Sequence, residues 1–237
     1  MVFLKTLAYI TLVLPLVVYL ILNKRNNNKP SRVIFYYLVY SIVHEILVYY
    51  LTNFTDNISD SNAIPLLYAI FTIIEFFFLG YYIYDSLKNK LFKKVLLLCS
   101  IIFLITALIN LFFIISSGVN NQLIDTIPVS TSAILLIIFS ILYLFEEIQA
   151  PKIGFIYSNP KFWIIVGIMI YFTGTFFFFL LFSDLSGKDQ YNYWIINLIC
   201  IILKNIFFTI SFFLPLENEN SNEFDSSFGI NHYNTIK

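Results

Sequence analysis

Residues 64–84 read IPLLYAIFTIIEFFFLGYYIY, an apolar run broken by one formal charge, Glu75. A helix needs about 20 such residues to cross the hydrocarbon core of a bilayer, and this run has that length. The run therefore reads as a membrane span. Its carboxylate is costly at that depth, about 2.5–3.5 kcal/mol on insertion scales. Something in the rest of the chain has to offset that cost.

The rest of the chain has the same character. Of 237 residues, 59% are hydrophobic and only 12% charged, a balance that marks an integral membrane protein and leaves little polar sequence for a separate soluble domain. Spans are expected at about 3–22, 33–51, 64–84, 92–114, 130–147, 161–183 and 193–214. Polar breaks such as NKRNNNKPSR and DSLKNK separate them. Pro30, Pro65, Pro128, Pro160 and Pro215 fall at or near the span ends, where helix starts and stops tolerate proline. The first span is too long for a signal-peptide core and has no small-residue cleavage site, so it is expected to be retained. The fold class expected is all-α, a polytopic seven-helix bundle over 1–216.

Orientation follows from the basic residues of the short loops. Lys24, Arg25, Lys29 and Arg32, then Lys88, Lys90, Lys93 and Lys94, then Lys152 and Lys161 all fall on one side, against Lys5 and Lys188 on the other. The first set is expected to be cytoplasmic, which places the N-terminus outside and the C-terminus inside. Residues 217–237 are polar, mildly acidic and expected to be a disordered cytoplasmic tail. Two N-x-S/T sequons, at 53–55 and 57–59, carry little weight in so Asn-rich a chain.

The polar residues inside the spans are the informative ones. In the third span Tyr68, Thr72, Glu75 and Tyr82 share a helical face, and in the seventh Asn197, Cys200, Lys204 and Ser211 do the same. The second span offers Tyr37, Ser41, Glu45 and Tyr49 at steps of four, with His44 off to one side. Glu75 and Lys204 both fall near the middle of their spans, with Glu45 slightly outward. A buried cluster is expected, with Lys204 paired to one carboxylate and the other protonated or hydrogen-bonded to His44 or a tyrosine. The candidate site is Glu75, Lys204, Glu45, His44, Tyr68, Thr72, Asn197 and Tyr171. The plainer alternative is that Glu75 and Lys204 only tie two helices together, since buried pairs can specify packing without a ligand.

Other features read as structural. Gly167 and Gly174 share a face of the sixth span with Tyr171 and would permit a close helix approach. The runs FFF at 76–78 and FFFF at 176–179 read as lipid-facing or packing bulk, and Trp163 and Trp194 as interfacial anchors. Cys99 and Cys200 lie in apolar runs at different depths and read as small buried hydrophobes, and neither they nor any other residues have metal-ligand spacing. Glu146 and Glu147 close the fifth span as solvated boundary carboxylates.

The stretches NAIPLLYAIFTIIEFFFLGYY (62–82) and NPKFWIIVGIMIYFTGTFFFF (159–179) give the chain a resemblance to a family. It resembles a group of seven-span membrane proteins of Bacteroidota in Asn62, Tyr68 and Glu75, in Pro160, Phe162, Trp163 and Tyr171, and in Glu45. The resemblance implies a bacterial inner membrane and no particular chemistry. Lys204 has no counterpart in the pattern, so the ion pair is a reading of this sequence alone.

No HExxH, GxSxG or paired-aspartate motif is present, so no enzyme activity and no cofactor are expected, and the balanced charge gives no reason to expect a nucleic-acid partner. The leading reading is a sensory or signalling component. It would recognise a small-molecule ligand, or a membrane state, within its core and relay that to a separate cytoplasmic signalling protein. The alternatives are a small proton- or solute-coupled transporter with a midplane Glu/Lys site, a purely structural bundle and, last, a retinal-binding protein.

Overall fold

The computed structural model describes residues 2–22, 29–54, 63–117, 126–149, 156–181 and 186–214. The expected tail and the second sequon lie outside them. Seven helices are long and apolar enough to cross a membrane. They are α1 (Val2–Ile21), α2 (Lys29–Phe54), α3 (Ala63–Ser86), α4 (Lys90–Ser117), α5 (Thr126–Gln149), α6 (Pro160–Leu181) and α7 (Gly187–Phe213), with one 3-10 turn at Ile156–Ser158 before α6. The described residues contain no strand. All seven expected spans are present, and α2, α4, α5 and α7 each begin a few residues before the apolar run does. Backbone amides without a water partner must be satisfied within the helix, so helical bonding continues past the apolar core into the polar flanks.

Local sequence fixes several of the ends. At α6, Pro160 takes the first helical position, where its missing N–H is no loss, and the Asn159 side chain accepts from the Lys161 amide at 3.0 Å. At α7, Ser186 accepts from the Asp189 amide at 3.3 Å and donates to the Asp189 carboxylate at 2.6 Å, a reciprocal helix-start cap. Asn53 is helical, and its amide donates to the Tyr49 carbonyl.

The helices do not pack in chain order. Helices α1, α2, α3, α5, α6 and α7 form a closed ring in which each touches the next and α7 returns to α1, while α4 lies outside it against α3 and α5. The sequence of α4 accounts for this. Its buried hydrophobics, Leu96, Phe103, Ala107 and Ile114, make a single narrow stripe, and Leu98, Ile101, Ile105, Leu108, Phe112 and others are exposed. A helix apolar all round with one narrow packing stripe suits a place between the bundle and lipid.

The two ends of the ring are filled differently. In the half holding the end of α1 and the start of α2, bulky side chains meet without gaps: Ile34, Leu38, Leu79, Ile83, Ile165, Ile168, Phe208 and Phe212 are all essentially unexposed. The other half, at the start of α1, turns smaller groups inward, among them Ala8, Ser41, Thr72 and Ser132, and a cavity opens there. The phenylalanine runs divide between the two expected roles, with Phe76 in the core and Phe77 and Phe177 exposed.

Helices α6 and α7 approach closely at the two glycines. A Cβ placed at Gly174 would meet Cys200 Sγ at 2.5 Å, and one at Gly167 would meet Phe207 Cβ at 3.0 Å and the Lys204 carbonyl at 3.3 Å. The expected close approach is therefore present, and it sets the position of Lys204. Gly174→Ala should destabilise the bundle by about 1–3 kcal/mol, the usual cost of overpacking. Cys200→Ala in the same chain should recover most of that, because it removes the clashing sulfur. Unfolding in a mixed-micelle denaturant titration checks both, and an unrecovered double variant would mean that the contact is not where the strain arises.

Candidate functional site

The centre of the ring is occupied by three side chains from three helices. Tyr37 of α2 donates its hydroxyl proton to Glu75 Oε1 of α3 at 2.7 Å. Lys204 of α7 donates to that same Tyr37 oxygen at 2.7 Å, and its Nζ lies 3.8 Å from Glu75 Oε1. A fourth helix joins through α6, where the Tyr171 ring sits 4.1 Å beneath the Lys204 ammonium. Tyr37 is thus donor to the carboxylate and acceptor from the ammonium, so it bridges an ion pair that touches only loosely by itself. All four residues are buried. An ammonium in such surroundings is tolerated only when paired and hydrogen-bonded, and here the π-face of Tyr171 adds to that.

This network is the floor of the cavity, which has a volume of ≈ 310 Å³. The size lies at the lower end of small-molecule sites, about 300–1,000 Å³. Above the floor, Ser41, Thr72 and Ile201 line the wall. Next come His44, Glu45, Tyr68 and Asn197, and at the rim Lys5, Tyr9, Val129, Phe179 and Trp194. Lys5 and Tyr9 are exposed, so the cavity runs from the middle of the bundle towards the end that carries the start of α1.

All eight candidate residues named from the sequence line this one cavity. The structure brings Glu75 and Lys204 into contact, sets Tyr171 against the ammonium, and places Glu45, His44, Tyr68, Thr72 and Asn197 on the walls. The α2 stripe needs correcting. Its inward face runs through Ile34, Tyr37, Leu38, Ser41 and His44, so His44 is buried, Glu45 is half-buried, and Tyr49 is 61% exposed. Strict steps of four drift away from the 3.6-residue period, whereas mixed steps of three and four stay on the face. Trp194, expected as an interfacial anchor, lines the cavity and meets Phe178 edge-on. Tyr37 was visible as part of a stripe, but its bridging role had no sequence signal beyond that.

The hydroxyls of the wall are already satisfied. Ser41 donates to the Tyr37 carbonyl and Thr72 to that of Tyr68, each one turn back along its own helix. Other buried polar atoms are not. Both ring nitrogens of His44 and the side-chain oxygen of Asn197 lack a hydrogen-bond partner among the described residues. His44 is held instead by rings, with Phe71 at 4.2 Å and Tyr68 edge-on at 5.4 Å. Among the described residues no cluster of His, Cys, Asp and Glu is arranged to hold a metal ion.

At the opposite end of the bundle, Glu146 and Glu147 are not simple solvated boundary charges. Glu146 Oε1 accepts from the backbone amides of Lys88 and Asn89 at 2.7 and 2.9 Å. Glu147 is buried and lies 3.7 Å from Lys88. Together they fasten the end of α5 to the turn between α3 and α4.

Comparison with family models, with curated proteins and with solved structures yields no match to this chain. The functional reading therefore rests on the geometry.

The ion pair makes a specific energetic demand. Lys204→Met alone leaves the Glu75 carboxylate buried with no counter-ion and should cost about 3–5 kcal/mol, while adding Glu75→Gln should restore most of the loss, because a buried pair replaced by neutral groups is often near neutral. A double-variant cycle on unfolding in mixed micelles measures the coupling. Additive losses would mean that the two side chains do not depend on each other.

Proposed function

We propose that this protein is a membrane-embedded sensory component that takes a small ligand into the intrahelical cavity and passes the change to a separate signalling protein. The observation that carries the reading is the asymmetry of the bundle. The cavity descends from one end, stops at the Tyr37–Glu75–Lys204 network, and is followed by a half filled with unexposed Ile, Leu and Phe. A site reached from one side and backed by dense packing suits recognition. Coupled transport needs a site that opens to both sides in turn, generally through discontinuous helices or repeats, whereas among the described residues each of the seven spans is one continuous helix.

The network supplies a means of relay. It joins α2, α3, α6 and α7 at one point, so a ligand pressing on Lys204 or Tyr37 shifts those four helices together against the rest of the bundle. Packed interiors resist compression, so the displacement is carried through the filled half to the end where Glu146 and Glu147 hold the α3–α4 turn. The Lys and Arg distribution supports an arrangement with that end cytoplasmic. The resemblance to membrane proteins of Bacteroidota supports a bacterial inner membrane.

Capture of the tagged chain from its native membranes, after in-membrane crosslinking, should recover a kinase or regulator in fixed proportion. Repeated recovery of the chain alone would overturn the signalling reading. In proteoliposomes the protein should give no solute-driven proton uptake. Uptake that Glu75→Gln abolishes would replace this reading by transport. Retinal added to the purified protein should produce no visible absorption band.

A further inference from the structure

The cavity lining carries two carboxylates, Glu45 and Glu75, and two lysines, Lys204 and Lys5. Lys204 is already committed to Tyr37 and Glu75. Glu45 lines the cavity halfway up, half-buried, and among the described residues it has neither a hydrogen bond nor a salt bridge. The second cation of the lining, Lys5, stands exposed at the rim, where solvent screens it.

The other unpartnered groups at the same depth point the same way. Asn197 and His44 are 5% and 3% exposed, and among the described residues the Asn197 side-chain oxygen and both His44 ring nitrogens have no hydrogen-bond partner. The Asn197 oxygen and the Glu45 carboxylate can only accept hydrogen bonds, and a neutral imidazole adds one acceptor and one donor. These unpartnered groups are therefore mostly acceptors, and their complement is a group with several N–H donors and a positive charge. Aromatic side chains share the lining with Glu45. Tyr9, Tyr68, Phe179 and Trp194 all border the same cavity, and such rings favour a cation over an anion.

Building on the ligand-binding reading above, we propose that the cavity binds a small primary amine. The ammonium would sit on a compact aromatic or aliphatic body, with Glu45 as counter-ion and Asn197 and His44 as hydrogen-bond partners. The Tyr37–Glu75–Lys204 floor is internally neutral and does not compete for this charge. Its role is to end the cavity and to sense how far the ligand's apolar body descends.

The full chain in lipid nanodiscs, titrated calorimetrically with 2-phenylethylamine, 3-phenylpropionate and 2-phenylethanol at neutral pH, tests the assignment. Heat of binding is expected with the amine alone. Glu45→Gln should weaken it by about tenfold or more, the usual effect of losing one charged hydrogen bond, while Glu45→Asp, which keeps the charge, should bind within a few fold of the native chain. A thermal unfolding curve for each variant separates lost binding from lost folding. If the carboxylate or the alcohol binds as well as the amine, or if Glu45→Gln binds unchanged, the ammonium assignment is overturned and the ligand pocket stands. If none of the three binds the native chain, the amine proposal and the pocket both fall.

Discussion

The Lys204 ammonium, near the middle of a helix in a bundle built for lipid, constrains the rest of the structure. Its charge has to be met at that depth, and Glu75 is the carboxylate that meets it. At 3.8 Å the pair does not close by itself, so the Tyr37 hydroxyl fills the gap and gives both charges a good hydrogen bond. Tyr171 closes the remaining side of the ammonium with its π-face. Four helices are thereby fixed in register at one level. The approach of α6 to α7 at Gly167, against the Lys204 carbonyl itself, is part of the same requirement, because a larger residue there would push the ammonium off its partners.

That register divides the ring. On one side of the network the inward residues are branched and aromatic and leave no space. On the other, Ala, Ser, Thr and Asn stand among the larger residues of the wall. Hydroxyls satisfied within their own helix need nothing from across the ring, so a wall of Ser and Thr can stand apart from the opposite wall without leaving polar atoms orphaned. Bulky apolar side chains gain by meeting across the same gap. The cavity is thus a consequence of which residue types occupy each half.

The spans were legible because lipid imposes a length and a composition on every crossing, and the α3 and α7 stripes were legible because an ionisable residue rarely faces lipid. Those two constraints pointed to Glu75 and Lys204, which lie 3.8 Å apart. The part played by Tyr37 was not legible. A tyrosine in an aromatic-rich chain carries no mark of bridging, and its role depends on how closely α2, α3 and α7 approach. The displacement of α4 from the ring was hidden for a similar reason. In a membrane an apolar helix is equally at home against protein or against lipid, so the usual contrast between buried and exposed faces disappears. The fastening of Lys88 and Asn89 by Glu146 depends on backbone amides, which no side-chain pattern reports.

The two polar centres of the bundle differ in a way that assigns them different roles. The floor network is internally paired: Lys204, Tyr37 and Glu75 meet through Glu75 Oε1, and disturbing any one leaves a charge in a medium that cannot solvate it. A paired network of this kind has a steep cost for displacement and holds helices in place. The upper wall is unpaired, with Glu45, His44 and Asn197 lining a cavity and, among the described residues, without hydrogen-bond partners for the Glu45 carboxylate, the His44 ring nitrogens and the Asn197 oxygen. Unmet polar groups are held there by the scaffold at a free-energy cost that an incoming group of the right chemistry removes. Because the unpaired wall is stacked directly on the paired floor, an occupant of the first would bear on the second, which is what the proposed relay requires.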